Sequence, residues 1–165
     1  MELTDLFLAR RIRQNHALEH ATVTLLAKRI AGLSVSARSN PRGFTIYADL
    51  DPHAVRTSCQ EALERLRGGE AELAIHPNCG TNLAVGASLA LLGSFFALTA
   101  VRPRVRVASA VASSVAGLMA ARPLGEVVQR RVTTLPDLSD VRIVTVRTRR
   151  LFGKRVIEVL TETDD

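Results

Sequence analysis

The sequence has no tryptophan, one tyrosine and five phenylalanines, so aromatics make up 4 % of its 165 residues. A platform that stacks single-stranded bases needs more rings, and nucleic acid is therefore an unfavoured partner. Two cysteines are too few for a disulfide framework. Lys28 and Lys154 are the only lysines among 22 basic residues. Charge is missing altogether from Thr81 to Val101 and again from Val107 to Ala121. Against these absences stand an apolar fraction of 47 % and a net charge of +6. A mean hydropathy of +0.13 in a chain so charged requires that the two kinds of residue be segregated. That excludes a disordered tail, which is poor in apolar residues.

The first uncharged stretch is long enough to cross a bilayer core of about 30 Å as a helix. The second falls short of the roughly 17 residues a span needs, unless Val105 and the stem of Arg106 extend it. Small residues recur every four positions, at Gly86 and Ala90 and at Ala108, Ala112 and Ala116, a spacing that lets helices approach closely in lipid. The pattern predicts a tight transmembrane hairpin turning at Pro103. The competing reading is an Ala-rich hairpin buried in a soluble domain or a homo-oligomer. The start of the chain, MELTDLFLARRIRQ, has no apolar core with a small-residue cleavage site and predicts no signal peptide. Soluble flanks on the cytoplasmic side of a bacterial inner membrane follow most simply, although Arg102, Arg104 and Arg106 in the hairpin loop pull the other way under the positive-inside rule.

The flanks read as one α+β domain, residues 1–80 and 122–165, with the hairpin 81–121 inserted between them. Residues 5–31 predict a long helix capped by Thr4, with an apolar stripe at Leu8, Ile12, Val23, Leu26 and Ile30. Positions 16 and 19 fill a gap in that stripe. Leu33 to Ala37 and Phe44 to Ala48 alternate like strands around a polar turn from Arg38 to Gly43. A second helix starts at Asp51 and Pro52, ends at Gly68 and Gly69, and carries Val55, Cys59, Ala62 and Leu66 on its apolar face. Ala71 to Ile75 reads as a short strand, and Thr81 as the N-cap of the first apolar helix. Arg122 to Arg131 continues the second apolar helix. Val141 to Arg147 and Lys154 to Thr161 predict a β-hairpin about Gly153.

The clearest chemical signal is His16-Ala17-Leu18-Glu19-His20. On a helix His16 and His20 lie one turn apart on the same side, a spacing that lets two imidazoles share one metal ion. Zinc lowers the pKa of a bound water towards neutrality, and Glu19 is placed to take its proton. This H-x-x-E-H resembles the motif of the inverzincin metallopeptidases. That resemblance implies His16 and His20 as ligands, Glu19 as general base, and a further ligand from a later helix, for which Glu126 is the only acidic residue between Glu72 and Asp137. A second cluster, His76-Pro77-Asn78-Cys79-Gly80-Thr81-Asn82, offers a thiol and an imidazole three residues apart. The third ligand is expected from Cys79, His76 or Glu126, in that order. Asn78 and Asn82 can bind a substrate carbonyl or cap a helix. The alternative is a polar network in which Asn15, His16 and Glu19 fix the packing of the two flanks without a metal. Arginine clusters at 10–13, 130–131 and 147–155 suit anionic lipid headgroups, at about 1 kcal/mol per residue near the surface.

N-H-A-L-E-H-A-T at Asn15 to Thr22, G-G-E-A-E-L-A at Gly68 to Ala74 and P-N-C-G-T-N at Pro77 to Asn82 together resemble an uncharacterised bacterial membrane-protein family, a domain of unknown function. The resemblance implies a small membrane protein built around the His16, Glu19, His20 and Cys79 segments. The resulting expectation is a membrane-anchored, zinc-binding protein, with hydrolysis of peptides at the membrane surface as its chemistry. The alternative is a non-enzymatic membrane protein whose buried His, Glu and Cys side chains serve structure or a partner.

Overall fold

A computed structural model describes residues 3–164, with side chains described from residue 9. It divides into two compact units: the chain up to His76 together with the chain from Val132 on, and Pro77–Arg131.

The first unit is α+β. Helix α1 (Leu3–Arg29) is followed by strands β1 (Ala37–Asn40) and β2 (Gly43–Ile46), helix α2 (Pro52–Arg67) and a 3-10 turn (Ala71–Ala74); β3 (Val141–Leu151) and β4 (Lys154–Thr163) close the unit. The four strands form one antiparallel sheet in the order β1-β2-β4-β3. Helix α1 packs over β1 and β2 and against α2, and α2 reaches β3. Leu18, Leu26, Phe44, Ile46, Val55, Leu138, Ile157 and Val159 make the centre of the core. Gly43 has φ +140°, and a Cβ there would sit 2.0 Å from the Val159 carbonyl oxygen, so only glycine lets β2 begin against β4.

Helix α2 follows its punctuation: the Asp51 carboxylate accepts from the His53 N–H, Pro52 opens the helix and Gly68 closes it. Val55, Cys59, Ala62 and Leu66 are buried as their spacing requires. The β3–β4 hairpin turns at Phe152 and Gly153, and both strands run longer than their alternation suggested.

Several local expectations are corrected. The helix already includes Leu3, so Thr4 lies inside its first turn, and the side chains of Thr4 and Leu8 fall outside the described ones. Ile12 is 39 % exposed and Val23 half-buried, because α1 is not a surface helix with one apolar stripe. From Gln14 to Thr22 every side chain except half-buried His16 is enclosed. Strand β1 is shifted to Ala37–Asn40, with only Pro41 and Arg42 in the turn. The polar run Arg38-Ser39-Asn40 reads as loop, but β1 is an edge strand and tolerates it; Leu33 and Val35 pack on the core without a ladder. Ala71–Ala74 is a 3-10 turn rather than a strand, as the Leu73 N–H to Glu70 and Ile75 N–H to Glu72 bonds show. So short a run carries no decisive period.

The second unit holds helices α3 (Gly80–Ala100) and α4 (Arg106–Val128); α4 passes into a π-helical turn (Gln129–Thr133). Both helices are long and apolar enough to cross a membrane. Helix α4 reaches that length by continuing through Arg122 and Pro123. They pack antiparallel at small residues: a Cβ on Gly86 would meet the Ala121 methyl at 2.6 Å, and one on Gly117 would meet the Ala90 backbone nitrogen at 2.6 Å. The Ser94 and Ser114 hydroxyls meet at 2.6 Å, and each also reaches the carbonyl four residues back. Ala108, Ala112 and Ala116 are exposed instead of lining this contact. In an Ala-rich helix a four-residue spacing does not choose the face; Gly117 and the serines do. Leu83, Leu91, Phe96, Val107 and Met119 point outward.

Cys59 lies wholly inside the first unit, and burial pushes its thiol from an ordinary 9.0 up to about 12. An unfolded chain gives up this proton near its ordinary value, so the stability contributed is complete below about pH 9 and is lost as pH rises towards 12. Denaturant titrations across this window are expected to show a steeper loss of stability for the natural chain than for Cys59→Ala.

Candidate metal centre

His16 and His20 stand one turn apart on α1 with ring centroids 4.2 Å apart and planes at 63°. Their candidate ligand nitrogens lie within 4.8 Å of each other. Each ring is held through Nδ1. His16 Nδ1 is 2.9 Å from the Thr133 carbonyl oxygen, and His20 Nδ1 is 2.7 Å from that of Ala74. A carbonyl oxygen can only accept, so both Nδ1 atoms carry the proton. The lone pair of each neutral ring then resides on Nε2. This is the arrangement by which proteins orient metal-binding imidazoles: one nitrogen anchored, the other presented. The two anchors lie on either side of the apolar hairpin in sequence, one in the 3-10 turn and one in the chain entering the C-terminal flank.

His20 is buried and its ring tilts onto that of half-buried His76, with centroids 5.6 Å apart. Glu19 is buried, and its carboxylate accepts from the Ser39 hydroxyl on β1. Asn15, also buried, donates to the Asn40 carbonyl at 2.8 Å and accepts from the Thr161 hydroxyl at 2.6 Å. Beside it the Gln14 amide donates to the Asp137 carbonyl and the Asp140 carboxylate. Helix α1 is thus fastened by polar side chains to β1, to β4 and to the segment before β3.

In the second unit Cys79 is buried and caps α3 itself: its sulfur lies 3.4 Å from the Thr81 N–H, which makes Cys79 rather than Thr81 the N-cap. Asn78 is exposed in the turn. Asn82 is buried, donates to the Pro77 carbonyl at 2.8 Å and accepts from the Gln129 amide at 2.7 Å. Gly125 makes room for it, since a Cβ there would fall 2.2 Å from the Asn82 Oδ1. Glu126 on α4 pairs with Arg122 one turn back, at 3.4 Å. As donors, His16 and His20 supply two neighbouring imidazole nitrogens, a pair suited to a metal ion.

Ser39, Gln129, Gly125 and the carbonyls of Ala74 and Thr133 are absent from any reading of the sequence. The carbonyls carry no side-chain signature at all. Gly125 and Gln129 are four residues apart where the sequence already continues the helix from Arg122 to Arg131, but that spacing alone does not name Asn82 as their partner.

Residues 11–146 match the family described as a domain of unknown function, DUF6391. The chain belongs to this family. It is also similar to an uncharacterised protein of Picosynechococcus sp. (strain PCC 7002), 34 % identical over 139 residues, which cover 78 % of this chain and 68 % of the relative. No solved structure matches. The family region takes in α1, the 3-10 turn and both apolar helices, so it spans every candidate ligand named above.

Asn15→Ala leaves the buried Thr161 hydroxyl and Asn40 carbonyl without this partner. Unfolding in denaturant is expected to show a loss of about 1–3 kcal/mol, the cost of an unsatisfied buried polar group. Asn78→Ala, in the exposed turn, is expected to change stability by less than about 0.5 kcal/mol.

Proposed function

We propose that this protein is a membrane-anchored zinc-binding protein in which His16, His20 and Cys79 are the ligands. The observation that carries the reading is the shared anchoring of both imidazoles by Nδ1 to backbone carbonyls, the way metal-binding histidines are commonly oriented. Connectivity supports Cys79 as the third ligand. It follows His76 by three residues, and the His76 ring already leans on His20. Two imidazoles and a thiolate suit zinc, whereas calcium and magnesium prefer oxygen donors. Outward-facing apolar side chains on α3 and α4 support the membrane anchor. The flanks are assigned to the cytoplasmic face of a bacterial inner membrane because both are rich in arginine.

Three protein ligands leave a fourth position, the arrangement of hydrolytic rather than purely structural sites. Bound zinc supplies Lewis acidity and activates water. Glu19, adjacent to His20 and oriented by Ser39, is the carboxylate that accepts the proton. The substrate class assigned is a peptide at the membrane surface. A second reading, a non-enzymatic protein whose polar residues fix structure, is favoured by one observation. Asn15, through both its amide nitrogen and its oxygen, and Gln14, through its amide nitrogen, tie α1 to the flanking segments and need no metal.

The test is elemental analysis of the protein purified in detergent. One zinc per chain is expected, with loss in His16→Ala, His20→Ala and Cys79→Ser. Glu19→Gln is expected to keep the metal and to lose hydrolysis of a peptide library. A natural chain without stoichiometric metal removes the zinc reading and leaves the structural one. Hydrolysis that survives Glu19→Gln removes Glu19 as the base.

A further inference from the structure

The tip of the β3–β4 hairpin combines three features that are each unfavourable in water. Phe152 is 97 % exposed. It sits at φ 48°, followed by Gly153 at φ 78°, in a two-residue turn where Asn or Gly is the usual first residue and a bulky one is rare. Arg150 stands directly across from Arg155, a like-charge pair that a two-stranded ribbon gains nothing by holding. No acidic residue occurs between Val141 and Ile157, a stretch with six cations. Those nearer the sheet have carboxylate partners: Glu158 takes Arg147 and Arg149, and Asp49 takes Arg155. Arg150 and Lys154 project beyond these pairs. Strand β2 pairs with β4 only from Leu160 to Ile157, so the tip extends past the sheet as a ribbon, exposed from Arg147 to Arg150 and from Phe152 to Arg155 save for half-buried Leu151.

We propose that this tip is a membrane-contacting finger, in which Phe152 enters the interface of an anionic bilayer while Arg150 and Lys154 bind lipid phosphates. An exposed ring gains by leaving water, cations facing one another gain by sharing anions, and a turn that pushes the ring outward serves both. Nucleic acid offers phosphates too. A single ring at the end of a two-stranded ribbon is, however, poorly suited to successive base stacking and well suited to an apolar layer under a charged one. The proposal is independent of the zinc site.

The chain has no tryptophan, so Phe152→Trp in the full-length protein introduces a lone fluorescent reporter at the tip. The variant is reconstituted into phosphatidylglycerol-rich or pure phosphatidylcholine vesicles, and insertion is checked by resistance to carbonate extraction. In the anionic vesicles a blue-shifted emission, quenched by brominated acyl chains, is expected; in phosphatidylcholine the shift is lost. Adding Arg150→Glu and Lys154→Glu is expected to abolish the shift with unchanged far-UV circular dichroism. An indole that stays water-exposed in anionic vesicles overturns the finger, while carbonate resistance leaves the anchor reading standing. A chain that carbonate extracts, but whose indole still responds to anionic vesicles, keeps the finger and overturns the anchor. A response to duplex DNA in place of anionic vesicles overturns the proposal in favour of nucleic acid.

Discussion

The first unit depends on satisfying the polar middle of α1. A helix that places Gln14, Asn15, Glu19 and His20 inside a folded unit incurs several kcal/mol of desolvation unless each finds a partner. The partners are supplied from across the sequence: Ser39 and Asn40 on β1, Ala74 after α2, Thr133 and Asp137 before β3, and Thr161 on β4. Two flanks separated by the apolar hairpin are thereby made into one unit, because neither alone can complete the hydrogen bonds of this helix. Apolar packing supplies the bulk of the stabilisation, and the polar set fixes which segments must come together.

The second unit solves the opposite problem. Its helices have little polar surface to satisfy and are long and apolar enough to cross a membrane, where close contact is what holds helices together. Glycine at 86, 93 and 117 supplies that contact, and the Ser94–Ser114 pair adds one polar link whose hydroxyls are also returned to their own helices. At its base the Asn82–Gln129 pair, with Gly125 cut away to admit it, holds the two helix ends in register. The positive mean hydropathy and the net positive charge therefore belong to different parts of the chain, each organised by its own rule.

Much of this was legible where a local signal is also the physical cause. Asp51, Pro52 and Gly68 bound α2 because an N-cap carboxylate, a fixed φ and a chain-ending glycine act within a few residues of themselves. Uncharged runs named both apolar helices, and alternation named the long hairpin. What was not legible depends on distant partners. Strand β1 was misplaced because Arg38, Ser39 and Asn40 look like a turn until β2 is laid beside them. The stripe on α1 misled because the middle of the helix, from Gln14 to Thr22, is enclosed nearly all round and so has no stripe. His16 and His20 were visible as a pair, but the two carbonyls that set their tautomers belong to Ala74 and Thr133, whose side chains say nothing.

The character of the histidines bears on what the polar middle of α1 is for. Positions 14 and 15 show that this helix can meet buried carbonyls with ordinary amides, and an amide at 16 or 20 would donate to Thr133 or Ala74 equally well. An imidazole used that way brings something an amide lacks: a second nitrogen, rigidly opposed to the first, with a basic lone pair. Two such rings in contact, both anchored by the same nitrogen, are redundant as structural clips and complementary as ligands.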